Sequence, residues 1–252
     1  MRYMTNFLDS ITIKKDRPPK YYLKFKMMAT LRLEINANLF VRDPQDTELG
    51  RKIVKQSIVM IEDMGLENFT FKKLSEAIDS TEASIYRYFE NKHRLLVYLI
   101  AWYWNWTEYK IEFETNNIKD PYERLATAIR LVTEKKQQDM MFPSIDEVAL
   151  QRIVINESDK TYLTKQVDDD NKEGLFRGFK SLCKRIADIV KEINPDYAYA
   201  HALISTTLQA AHQQVFYAEH LPSLTEHKAK EGNVHEKNYE FLLEMIKNVI
   251  RK

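Results

Sequence analysis

Cysteine is almost missing from this sequence. The single thiol, Cys183, excludes an intramolecular disulfide and fits a reducing compartment. Glycine (five residues) and proline (seven) are sparse across 252 residues, which suits a helix-rich globular chain; no glycine-rich phosphate cradle is present. No apolar run exceeds the ten residues from Leu95 to Trp104, whereas a bilayer span needs about 20. The N-terminal stretch mixes Arg2, Asp9, Lys14 and Lys15 without a long apolar centre, so no secretory leader is expected. The expectation is a soluble, cytoplasmic protein with no membrane partner. Catalytic signatures are missing as well: there is no HExxH, no CxxC and no nucleophile elbow. His201 and His212 share a helical face but lie ~16 Å apart along the axis, too far to share a metal. Asp168-Asp169-Asp170 lacks the Gly and bidentate Glu of a calcium loop and reads as a solvated loop. No metal, cofactor or catalytic residue is assigned, no enzymatic activity is expected, and the histidines read as polar partners in a packed interior or on a wet surface.

What is present is apolar content of 44%, enough for a substantial core in one or two domains. The formal charge of +1 hides an uneven distribution. Residues 1–45 carry +5, residues 46–95 carry −1 and the remainder −3, so a nucleic-acid reading must rest on where individual cations sit. Pro18-Pro19 and scattered lysines read as an extended or partly disordered arm over residues 1–45, whose first 30 residues either reach DNA, or are disordered, or lie upstream of a natural start at Met27 or Met28. Within it, Leu31, Leu33, Ile35, Ala37, Leu39 and Val41 alternate with mostly polar residues, an extended pattern that must pack along the body or pair across a dimer. Asp43-Pro44 reads as the cap and first residue of a helix running to about Met64, with Val54, Ile58 and Ile61 inward and Gly65 as its stop.

Residues 70–89 then spell two short helices around a tight turn. Phe71, Leu74 and Ile78 form one apolar face, Asp79 and Ser80 supply turn chemistry, Thr81 or Ser80 caps the second helix, and Ile85 and Phe89 turn inward. Asn91 caps a third helix, reaching about Thr115, that holds Trp102, Tyr103, Trp104 and Trp106 and is expected to be enclosed on several sides. Asp120-Pro121 and Ser144–Glu147 open further helices. Longer helices are predicted over about 171–193, 195–220 and 233–252. The Gly174-x-x-x-Gly178 spacing, flanked by Lys172, Arg177 and Lys180, implies close helix packing rather than a membrane contact.

The set Thr70, Leu74, Ala77, Thr81, Ile85-Tyr86-x-Tyr88-Phe89, Asn91-Lys92 and Leu95 resembles the TetR-type transcriptional regulators over about residues 47–96. Three positions depart from that pattern: Asp79 stands where Gly is usual, Ser80 replaces an apolar residue, and Glu82 replaces a cation. The resemblance implies an all-α chain: an N-terminal three-helix helix-turn-helix DNA-binding domain over 46–95, joined to a C-terminal helical ligand-binding and dimerisation domain over 96–252. It implies a homodimer on a pseudo-palindromic operator in double-stranded DNA, acting as a ligand-responsive repressor. It assigns phosphate contacts to Thr70, Tyr86 and Lys92, and places Thr81, Glu82, Ala83, Ser84, Arg87 and Tyr88 on the reading helix. A small apolar or amphipathic effector is expected against Trp102, Trp106, Phe142, Phe176 and Phe216. A dimer seam is expected along Leu208, Ala211, Val215, Leu242, Ile246 and Val249. A second reading, a helical small-molecule-binding or enzymatic protein with a vestigial helix-turn-helix, is separated from the first by whether Thr70, Arg87 and Lys92 share one exposed surface.

Overall fold

The computed structural model describes residues 32–251, and among them helices are the only regular structure. The proposed arm before Arg32 lies outside the described residues. From Arg32 the chain runs extended, with Leu33 and Ile35 buried on alternate positions, and then makes a 3-10 turn at Ala37–Leu39. Of the predicted alternation, Leu33, Ile35 and Leu39 are buried while Ala37 and Val41 are exposed, and among the described residues the segment pairs with no strand. It packs along the body, where Asn36 Nδ2 donates to Gly174 O (2.7 Å) and Asn38 Nδ2 to Glu173 O (2.9 Å).

Helix α1 spans Glu48–Asn68. Asp43-Pro44 does open a helical turn, but only the 3-10 turn Pro44–Asp46; the cap of α1 is Thr47, whose Oγ1 accepts from Gly50 N–H at 3.0 Å. Near the other end Gly65 adopts φ 73°, a conformation open to glycine, and the chain re-enters one further turn after it. Helices α2 (Phe71–Ala77) and α3 (Glu82–Tyr86) follow, capped by Thr70 and Thr81. Asp79 takes the left-handed turn position at φ 52°, which a short polar side chain tolerates better than a branched one.

Helix α4, Lys92–Thr115, is the axis of the molecule. Every residue from Leu95 to Trp104 is buried, so no side of this stretch faces water. Around it pack α5 (Pro121–Thr133), α6 (Glu147–Glu157) and α9 (Arg177–Ile193), with α10 (Ala200–His220) and α11 (Val234–Ile250) beyond. The cap of α6 is Asp146 rather than Ser144, because its Oδ1 accepts from Ala149 N–H at 2.9 Å. Two short helices follow, α7 (Asp159–Tyr162) and α8 (Val167–Lys172), the second containing Asp168–Asp170, whose sequence reads as a loop.

The predicted helix over 171–193 is split by Gly174, at φ 76°, so its two glycines do different work. Gly174 makes a turn, while Gly178 lets α9 meet α4: a Cβ there would come within 2.8 Å of Asn105 Nδ2. Helix α10 starts at Ala200, later than Asn194-Pro195 predicts, because Asn194 is used elsewhere and donates to Ile250 O at 3.0 Å. One continuous apolar core runs from Leu33 through α1 and α4 to Ile250.

Candidate functional site

The base of the candidate site is apolar. Leu74, Ile85 and Phe89 are fully buried, and Phe71 and Ile78 nearly so, fixing α2 and α3 against α1. On that base Thr81, Glu82, Ala83 and Arg87 stand exposed and Ser84 is half-buried, so α3 presents one free polar face. Arg87 makes no hydrogen bond or ion pair among the described residues, whereas Thr81 Oγ1 is held by Ser84 N–H (3.2 Å) and Ser84 Oγ (2.9 Å). Thr70 is exposed at the start of α2. Tyr86 is half exposed, its ring edge-on to Phe71 at 5.1 Å, so it serves both as packing and as surface.

Two residues sit differently from their assignment. Tyr88 is only 3% exposed and its hydroxyl bonds Thr47 Oγ1 at 2.7 Å, so it ties α1 to the turn after α3 and has no surface to offer a base or sugar. The ammonium of Lys92 is turned back onto the end of α1, donating to Leu66 O (3.0 Å), Glu67 O (3.2 Å) and Phe69 O (3.3 Å). The test set out for the two readings is thus met in part. Thr70 and Arg87 are exposed, and Lys92 adjoins Thr70 through Phe69, but with its donors occupied. Lys52 and Lys73 likewise sit on Ile78 O and Asn68 O. Lys92→Met is expected to lower stability by about 1–2 kcal/mol, because three carbonyls lose a charged donor. Thermal unfolding decides it: an unchanged Tm would leave Lys92 free for another role.

The helices of the body are tied to this head through polar contacts that sequence reasoning missed. Glu157, at the end of α6, accepts from the buried Leu66 N–H just past the Gly65 kink (3.1 Å) and pairs with Lys160 at 2.7 Å. Asp170 of α8, one of the supposed loop acids, is buried and meets His93 (3.1 Å) and Arg94 (3.6 Å) in the first turn of α4. Glu173 adds a second carboxylate to Arg94 at 2.8 Å. Nothing local marked these ties, since Leu66 lies 91 positions from Glu157, and His93 and Arg94 lie 77 and 76 from Asp170.

The five aromatic residues expected to line one pocket lie in three places. Trp102 stacks on Trp106 (6.1 Å) and meets Phe142 edge-on (5.2 Å). Phe176 packs instead against Tyr162, and Phe216 against Tyr217 and His220 far along α10. Trp102 and Phe142 border a cleft of about 370 Å³ against α1, with Arg32 and Arg51 at its rim. Trp106 borders a separate cleft of about 370 Å³ between α4 and residues 134–140.

The predicted dimer seam needs correction too. Leu208, Ala211, Val215, Leu242 and Ile246 are buried within this one chain, at 0–4% exposure, so they have no area left for a second copy; only Val249, at 45%, reaches the surface. Periodicity identifies an apolar stripe but not which body covers it.

Glu147, at the start of α6, is fully buried, with Oε2 accepting from Asp139 N–H (3.1 Å) and Oε1 without a partner. Burial pushes its carboxyl up from an ordinary 4.5 to about 7. Its ionised form is therefore costlier folded than unfolded, and stability is lost as pH rises from 4.5 through about 7. Glu147→Gln is expected to raise Tm at pH 8 relative to wild type, with the gap closing toward pH 4.5; a gap that ignores pH in calorimetry would refute this.

The architecture is thus a three-helix head with a free face on its third helix, set on a larger helical body. No protein-family model and no curated protein matches the sequence. Among solved structures, one assigned to the TetR-family transcriptional regulators, from Syntrophomonas wolfei str. Goettingen, superposes with a TM-score of 0.59 over 82% of this chain and 97% of its own, at 17% identity. The fatty acid degradation regulator FadR from Bacillus halodurans gives 0.52 over 76% and 93%, at 15% identity. Over 82% and 76% of its length, respectively, this chain thus shares the fold of these two structures, beyond the residues 47–96 that carry the sequence resemblance.

Proposed function

We propose that this chain is a DNA-binding transcriptional regulator, a homodimeric repressor released from its operator by a small ligand. The observation that carries the reading is the α3 face: exposed Glu82, Ala83 and Arg87 on a helix whose inward residue, Ile85, is fully buried. In a major groove, Arg87 suits guanine, Ala83 a thymine methyl, and Glu82 a cytosine amino group. Thr70, Tyr86 and the main-chain N–H groups at the start of α4 suit phosphate, the last taking the role first given to the Lys92 ammonium.

The dimer face is the outward side of α10 and α11. On α11, Phe241 and Val249, each nearly half exposed, line up with Met245 at i, i+4 and i+8. Two reading helices must stand about 34–36 Å apart to enter successive major grooves. A ligand that moves α4 would move the head through Lys92, Glu157 and Asp170 together, and mis-space the pair.

Selection of bound sequences from a random duplex pool tests this reading. The proposal expects enrichment of two symmetry-related half-sites spaced by about 10 bp or a multiple of it. Recovery of unenriched DNA would contradict it.

A further inference from the structure

A surface that binds DNA needs cations, and few of those in and beside the head are at liberty. Arg32 is held by Asp43 and Asp46, and Arg94 by Asp170 and Glu173. Arg51, Lys52, Lys73 and Lys92 each donate to main-chain carbonyls. Over residues 32–95 that leaves Arg42, Lys55, Lys72 and Arg87, all exposed and without a hydrogen bond or ion pair among the described residues.

Arg42 differs from the others in coming from outside the three helices of the head. The segment that carries it is braced at both ends. Asn36 and Asn38 hold it to the carbonyls of Gly174 and Glu173, and Val41 N–H donates to Tyr88 O, next to Arg87, at 2.8 Å. The Arg42 guanidinium stands 5.7 Å from the centre of the Tyr88 ring, which is itself fixed through its hydroxyl on Thr47. A guanidinium over a ring keeps its N–H fork available to a second partner. The acids that follow in sequence, Asp43 and Asp46, face Arg32 instead. A free cation is thereby delivered to the C-terminal end of α3.

We propose that Arg42 binds a DNA phosphate at the edge of the groove entered by α3, making the segment before α1 a further element of the interface. The claim rests on the DNA reading above for its partner and adds a contact that the helix-turn-helix does not contain. Residues 46–95 carry −1, so a cation from outside them offsets a charge that opposes DNA. The bracing matters too: a side chain already held beside Tyr88 loses little freedom on binding. A segment tied at Asn36 and again at Val41 has no spare length to thread along a minor groove, which favours one phosphate over base edges.

Fluorescence anisotropy of the full chain on a selected and a scrambled duplex, across a salt series, tests this with Arg42→Ala and Arg42→Lys. Arg42→Ala should weaken both duplexes alike, by about tenfold at low salt, and reduce the salt slope by about 1 for each copy bound. Arg42→Lys keeps the charge and should recover the slope and most of the affinity. Thermal unfolding should be nearly unchanged in both, because the side chain is exposed. Wild-type affinity and slope in Arg42→Ala would overturn the proposal and leave the DNA reading standing. Loss on the selected duplex alone would move Arg42 to a base edge and overturn it as well. A wild-type chain that binds neither duplex removes the DNA reading, and this contact with it.

Discussion

Arg87→Ala is expected to weaken binding to a selected operator by about 10- to 100-fold while leaving Tm unchanged, because a bidentate arginine–guanine contact is worth about 1–3 kcal/mol. The unchanged Tm follows from position: the guanidinium is exposed and has no partner among the described residues, so nothing in the fold depends on it. Lys72, also exposed, should behave differently on truncation, weakening selected and scrambled DNA alike and reducing the salt slope by about 1, as a phosphate contact does. Fluorescence anisotropy at one fixed salt concentration separates the two. Equal loss on both DNAs for Arg87→Ala would move that residue to the phosphates. No loss at all would take the C-terminal end of α3 out of the groove.

Gly50→Ala should cost about 2–3 kcal/mol, or roughly 5–10 °C in Tm for a chain of this size. In an open helix the same change would stabilise by up to about 1 kcal/mol, so the sign itself is informative. Here the added Cβ would lie 2.6 Å from Pro44 Cα and 2.8 Å from Pro44 C. Those atoms are backbone, and no rotamer change can relieve the overlap. Either the first turn of α1 shifts or the Pro44–Asp46 turn is pushed outward, and with it Asp43 and Asp46, the two partners of Arg32. Thermal unfolding of the purified variant measures this; a Tm at or above wild type would show that α1 and the turn separate freely.

The helix-turn-helix was legible because its determinants are local. Thr70, Thr81, Asn91 and Asp120 each cap the helix they precede, by hydrogen bonds spanning two or three residues. The alternating burial of Leu33 and Ile35 was equally legible, but not its partner, which comes from residues 173 and 174. Long-range choices left no local mark. Lys92 reads as a surface cation until the carbonyls of α1 surround it, and Tyr88 as a contact residue until Thr47 meets its hydroxyl. The stripes of α10 and α11 were correctly found and then given to the wrong body, because two helices that bury each other show the same periodicity as two that bury a second copy. His212 departs from expectation in another way: a buried histidine is expected to be bonded, and this one is not.

These ties describe how a change in the body would reach the head. Helix α4 begins on the end of α1 through Lys92 and continues through the Trp102–Trp106 stack, while Glu157 holds the α1 kink from the other side. These contacts join α4 to the α1 terminus, and the proposed ligand response would act through them.

The most direct measurement is the affinity of the purified chain for a selected duplex and for a scrambled one of equal length, across a salt series. The account predicts tight binding to the selected duplex alone, with log K falling linearly as log salt rises. Weak binding at about 10⁻⁴ to 10⁻⁶ M, equal for both duplexes, would contradict it.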